Sequence, residues 1–202
     1  MKFTENLNLD ELFHCALSAS EQGDHAQSIT LLKECIQQED RAIYYYMLAA
    51  EHAEIGLYQY AIEEMTLAIN KDPSLWIAKF QLSLLYLTVS NIEEAVKVWY
   101  ELKDSNANSY LRIFAEGLVY IQEGNTYLGI KKLKEGIEAN KENNPLNNDI
   151  NNIIQSLEEN DINEKAQVND EDNESKLEDK SNKDSAINKI FISKYQQNDN
   201  EN

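Results

Sequence analysis

The chain repeats itself every 33 or 34 residues, and this period restricts its fold more than any other feature of the sequence. Alignment on a short polar turn superimposes SEQGDHAQSITLLKECI, AEIGLYQYAIEEMTLAI, LTVSNIEEAVKVWYEL and IQEGNTYLGIKKLKEGI. Gly23, Gly56, Ser90 and Gly124 mark the same place in the four segments, at separations of 33, 34 and 34 residues by subtraction. A repeat of this length is one supersecondary unit that can bury its apolar face only against its neighbours, so the period predicts a stack. Apolar residues recur at helical spacing before and after each turn, and each unit therefore reads as a helical hairpin.

The detailed pattern resembles the tetratricopeptide repeat. Residues 42–75 carry it best, with Tyr45, Leu48, Ala49, His52 in an aromatic slot, Gly56, Tyr58, Ala61, Met65, Ala68 and Pro73. Residues 76–109 keep Leu82, Ser83, Tyr86, Ala95 and Trp99 but have Ala107 where proline is expected. Residues 110–143 keep Gly117, Tyr120, Gly124, Gly129, Leu133 and Gly136. The first unit, about 9–41, diverges most, with Cys15, Ala16, Gly23, Ser28, Leu32 and Cys35. Small residues are expected where the two helices of a hairpin cross, and bulky ones in the grooves between hairpins.

The expected fold is all-α: a solenoid of four hairpins after a lead-in of residues 1–8. The end of such a stack requires a cap. Residues 144–159 supply an apolar stripe of Leu146, Ile150, Ile153, Ile154 and Leu157 for this purpose, although their asparagines make a poor helix without packing. Residues 160–202 are dominated by Asn, Asp, Glu, Ser and Lys and read as a disordered acidic tail. One apolar island interrupts it at 186–196, with Ile187, Ile190, Phe191, Ile192 and Tyr195, and reads either as a recognition motif or as residual hydrophobicity.

The run Tyr44–Tyr45–Tyr46 sets a geometric problem, because successive helical side chains diverge by about 100° and one buried stripe cannot take all three. The resemblance implies that the first helix of each hairpin lines a concave wall. Its second, fifth, ninth and twelfth positions would face the groove, and its fourth, seventh, eighth and eleventh would pack inward. Tyr45 is thereby expected in the core, Tyr46 in the groove, and Tyr44 at a seam between hairpins or at the rim. The fifth position is aromatic in every unit, at Phe13, Tyr46, Phe80 and Phe114. The ninth gives Leu17, Ala50, Leu84 and Leu118, and the second gives Asp10, Ile43, Ile77 and Leu111. These residues are expected to form an apolar trough that binds a protein or peptide segment, the alternatives being occupation by the tail, homodimerisation, or burial as core.

The resemblance also allows a negative test. Repeats that grip a chaperone's C-terminal carboxylate need Lys, Asn and Arg at set groove positions. Here those positions hold Phe13, Leu17, Met47, Ile77 and Gln81, so no carboxylate clamp is expected.

Charge narrows the partners. The 18 Lys and Arg against 36 Asp and Glu leave a formal net charge of −18, a field that repels nucleic acid and anionic lipid. No segment reaches the about 18 to 20 consecutive apolar residues of a membrane span, and no signal-peptide core is visible, so a cytoplasmic protein is expected. Cys15 and Cys35 are the only cysteines and read as buried thiols of a reducing compartment. His14, His25 and His52 form no metal-binding pattern, and His52 reads as a packed core histidine. Glu63 and Glu64, like Glu93 and Glu94, read as solvated starts of second helices. Neither catalytic residues nor a metal or other cofactor is expected. The sequence thus points to a non-enzymatic interaction module, either a chaperone or pilot of a secretion or envelope-assembly system, or a scaffold or adaptor in a regulatory complex.

Overall fold

The computed structural model describes residues 7–170, with side chains through residue 159. Among these residues there are nine helices and no strand. They are α1 (Leu9–Glu21), α2 (His25–Gln38), α3 (Ala42–Glu54), α4 (Tyr58–Lys71), α5 (Trp76–Thr88), α6 (Ile92–Lys103), α7 (Ser109–Gln122), α8 (Thr126–Ala139) and α9 (Asn144–Asp170). The chain divides into two compact units, Met1–Val89 and Ser90–Asn202, with the boundary inside the expected third repeat.

In the first unit α1 pairs with α2 and α3 with α4, while α2 against α3 and α4 against α5 make the stacking contacts. Two apolar clusters result. Leu12, Ala16, Leu31, Leu32, Cys35, Tyr44 and Leu48 form one, and Ala49, Ala61, Ile62, Met65, Ala78, Leu82 and Leu85 the other. In the second unit α7 packs closely on α8 and also on α6, and α8 carries α9. The small residues fall where the repeat requires them: Ala16, Ala49, Ser83 and Gly117, one per repeat, are all buried.

The four aligned turns share one backbone conformation. Gly23, Gly56, Ser90 and Gly124 have φ of 76°, 77°, 59° and 86°. Three are glycine because the left-handed region crowds a Cβ; Ser90 accepts that strain. Replacing Ser90 by Gly should raise the unfolding free energy by about 1 kcal/mol, read as a higher urea midpoint at unchanged slope.

Each turn is followed by the N-cap of a second helix. Asp24, Asn91 and Asn125 cap α2, α6 and α8 by accepting from the backbone N–H of Gln27, Glu94 and Leu128. Such a cap stabilises a helix by about 1 kcal/mol. Leu57, at the equivalent place before α4, makes no side-chain cap.

The closing helix departs from expectation in length. All five apolar residues of its stripe are buried, but α9 continues to Asp170 and does not stop at 159. Once the docked turns have nucleated the helix, each further residue adds a hydrogen bond at little entropic cost, and Glu, Lys, Ala and Gln in 160–170 favour the extension. The asparagines, which weaken the helix, organise its start. Buried Asn140 donates its amide to Asn143 O and Asn147 Oδ1 and accepts from the N–H groups of Glu142 and Asn143.

Candidate protein-binding face

Of the three tyrosines, Tyr45 departs from expectation. Tyr44 is sealed at 1% exposure, its ring centroid 5.0 Å from that of Phe13 on α1, so the seam between hairpins holds it and not the rim. Its hydroxyl accepts from Arg41 Nη1 at 3.3 Å, and the guanidinium lies 5.5 Å from the ring centroid. Tyr45, expected in the core, stands half-buried at a polar edge. Its hydroxyl donates to Asp40 Oδ1 at 2.8 Å, the Lys71 ammonium lies 5.2 Å from its ring centroid, and Lys71 also pairs with Asp40. The hydrogen bonds from Lys71 and Tyr45 hold the Asp40 carboxyl below its usual range, and the bond to Asp40 raises the phenol. Tyr46 is half-buried against the second apolar cluster.

The eleven residues expected to line a trough divide into two groups by exposure: seven half-buried and four sealed. Phe13, Leu17, Ile43, Tyr46, Ala50, Ile77 and Leu84, all in the first unit, are half-buried. Phe13 and Ile43 rest on the first cluster. By contrast Phe80, Leu111, Phe114 and Leu118 have no more than 1% of their surface exposed, and none of them is a groove residue. The cause is visible for Phe114: a Cβ added to Gly136 of α8 would lie 2.4 Å from its ring, so the ring occupies the space that the glycine leaves. Tyr110 closes another side, edge-on at 6.1 Å. α5 carries apolar residues around most of its circumference, whereas α7 is amphipathic, with Ser109, Arg112 and Glu116 toward solvent and Leu111, Phe114 and Leu118 on the face turned into its unit. Ile187, Ile190, Phe191, Ile192 and Tyr195 lie outside the described residues.

The histidines reveal contacts that spacing does not show. His25 Nδ1 lies 2.8 Å from Oε2 of Glu51, a carboxylate that is itself buried, and the pair ties the start of α2 to the last turn of α3. The next residue, buried His52, reaches forward to Glu64 Oε2 at 2.6 Å. Glu64 is thus no solvated helix start. Burial pushes its carboxyl upward, opposed by the His52 hydrogen bond and the charges of His52 and Lys33. Glu93 and Glu94 do meet the earlier expectation, both holding Lys97 at the surface.

Two clefts were missed by sequence reading. One, of about 490 Å³, lies along α6 and α7 and includes Lys103, Asp104, Arg112, Glu116 and Glu123 over Val119 and Tyr120. Lys132 holds Glu116 at 3.2 Å and Tyr100 donates to Glu123 at 2.7 Å, so the lining is of mixed sign. The other, of about 220 Å³, exposes one side of Cys15, which corrects the reading of both thiols as buried. Cys35 is sealed, and burial raises its thiol to about 11. Among the described residues no three His, Cys, Asp or Glu side chains are placed to hold a metal ion, and no helix is long and apolar enough to cross a membrane.

No protein-family model matches the sequence, and no curated protein matches it. Solved structures do match in fold. A crystal structure of MamA aligns with a TM-score of 0.56 at 20% identity, covering 67% of this chain and 80% of that one. Residues 41 to the end of MamA from Desulfovibrio magneticus RS-1 align at 0.55 and 14% identity over 67% and 77%. A double mutant of MamA RS-1 aligns at 0.54 and 12% identity over 96% and 97%. The fold is a tetratricopeptide-like helical repeat. At such identities the likeness establishes the architecture alone.

Proposed function

We propose that the chain is a non-enzymatic interaction module of tetratricopeptide type, which holds an apolar or amphipathic segment of a partner protein along the first helices of its first unit. The observation that carries this reading is the row of half-buried apolar residues on α1, α3 and α5, namely Phe13, Leu17, Ile43, Tyr46, Ala50, Ile77 and Leu84. Phe13 and Ile43 rest on the first cluster and Tyr46 on the second, and all seven keep part of their surface open, which suits a preformed docking strip. A scaffold or adaptor role is preferred to that of a chaperone for a long hydrophobic client. Sealing of Phe80, Leu111, Phe114 and Leu118 confines the strip to part of the chain and leaves too little apolar surface to shelter such a client. Two free thiols suit a reducing, cytoplasmic setting.

The test is a double substitution, Tyr46→Glu with Ile77→Glu, assayed on peptides selected from a displayed random library against the wild-type protein. Selected peptides should lose about tenfold or more in affinity, about 1.4 kcal/mol, while the helical circular dichroism stays near wild type. Peptides that bind both proteins equally would remove the strip from consideration.

A further inference from the structure

Of the four turns, one lacks the side-chain N-cap that the other three share. Three turns place Asp24, Asn91 or Asn125 at the N-cap, each accepting a backbone hydrogen bond. The turn between α3 and α4 has Leu57 there, uncapped and 42% exposed. Two residues earlier stands Ile55, 44% exposed, where the first and fourth turns have Gln22 and Glu123. Three residues beyond Leu57, Tyr60 is 59% exposed, with one side of its ring 5.7 Å from the His52 ring. None of the three belongs to either apolar cluster of the first unit or is packed against one. The first and fourth turns form the same left-handed bend with polar residues at both places, Gln22 with Asp24 and Glu123 with Asn125, so the fold does not require apolar ones; the third has Val89, 41% exposed, beside its cap Asn91.

We propose that Ile55, Leu57 and Tyr60 at the tip of the second hairpin form a separate docking surface, whose partner is a basic amphipathic helix of another protein. Charge identifies the partner. Residues 51–64 contain Glu51, Glu54, Glu63 and Glu64 and no Lys or Arg. Glu51 and Glu64 are engaged by His25 and His52, whereas the exposed Glu54 and Glu63 flank the apolar residues. The Glu51–His25 contact brings the start of α2 alongside, where exposed Asp24 adds a carboxylate next to His25, while Lys33 of the same helix sets a single positive charge against Glu64 and leaves the region negative. A ligand with an apolar stripe bordered by lysine or arginine meets both features. A second copy of this chain would bring like charge to like charge, and an anionic bilayer would be repelled.

The surface differs from the strip on α1, α3 and α5, and the experiment separates the two. The variant Ile55→Gln with Leu57→Asn installs the residues of the sibling turns, leaves net charge unchanged and supplies the missing cap. The probe is a fluorescent amphipathic helix of leucine and lysine, with a leucine–glutamate helix as control, followed by anisotropy at physiological ionic strength. Wild type should bind the lysine probe and not the control. The variant should melt at a higher temperature yet bind the lysine probe about tenfold or more weakly, whereas Tyr46→Glu with Ile77→Glu should leave this binding within about twofold. Several results would overturn the proposal: no binding of the lysine probe to wild type, equal binding by the variant, loss of this binding in Tyr46→Glu with Ile77→Glu, a lower melting temperature showing that Ile55 and Leu57 are structural, or a wild-type dimer that the variant dissociates.

Discussion

Replacing Phe114 by Ala should lower the unfolding free energy by about 3 to 5 kcal/mol, a large share of the 5 to 15 kcal/mol typical of a domain. The ring is fully buried, held between Tyr110 and the space above Gly136, so its removal leaves a cavity that two closely packed helices cannot collapse into. Phe80→Ala, at an equally sealed position of α5, should have an effect of the same order. Urea unfolding followed by circular dichroism measures both. A second substitution tests the geometry directly. In the wild type, Gly136→Ala places a Cβ 2.4 Å from the Phe114 ring and is destabilising, whereas in the Phe114→Ala background the same methyl enters the vacated space. The double variant should therefore be more stable than the sum of the single effects by about 1 to 3 kcal/mol. Additive effects would place the ring elsewhere, and a Phe114→Ala protein within about 1 kcal/mol of wild type would return the ring to the surface.

The contrast between Phe114 and Tyr46 shows which part of the candidate site was legible. Both occupy the fifth position of a first helix, and the repeat register predicts one environment for both. Register gives the direction in which a side chain points; it does not give what lies in that direction. Around Phe114 the sequence did carry the missing information. On α7 Ser109, Arg112, Glu116 and Tyr120 mark one open face, Phe114 lies with Leu111, Ala115, Leu118 and Ile121 on the other, and Gly136 removes the side chain that would otherwise fill the ring's place. α1 also has an open side, marked by Asp10, Glu11, His14 and Ser18, but there Phe13 and Leu17 border it and stay half-buried.

The architecture was legible for a different reason. One small residue at each helix crossing and one left-handed residue at each turn are steric requirements, and a steric requirement repeated four times leaves the same mark four times. Ser90 shows the strength of that mark, since it takes the left-handed conformation without being glycine. The pairs His25–Glu51 and His52–Glu64 were not legible because they join residues 26 and 12 positions apart through a particular rotation of neighbouring helices, which no local period encodes. The length of α9 was missed because helical extension beyond a docked stripe depends on propensity more than on burial.

Gly129→Ala should destabilise the second unit, contrary to the usual effect of replacing glycine in the interior of a helix. The usual substitution gains up to about 1 kcal/mol of helix propensity. Here the added Cβ would lie 2.7 Å from the carbonyl oxygen of Gly117 and 2.3 Å from Cγ1 of Ile121. The side chain could turn away, but the carbonyl belongs to the backbone of α7, so the helices have to separate. Overpacking of this kind is destabilising by about 1 to 3 kcal/mol, which outweighs the propensity gain. Gly129→Val, which adds more bulk to the same contact, should exceed the upper end of that range and broaden or abolish the unfolding transition. The sibling hairpins identify the cause. At the position of Gly129 they carry Ser28, Ala61 and Ala95, and at the position of Gly117 they carry Ala16, Ala49 and Ser83, so only the fourth hairpin has glycine at both. The decisive quantity is the sign of the Gly129→Ala effect. Destabilisation follows from a crossing that excludes even a methyl group, whereas stabilisation would mean that α7 and α8 stand as far apart as the other pairs and that Gly129 contributes only its conformational freedom.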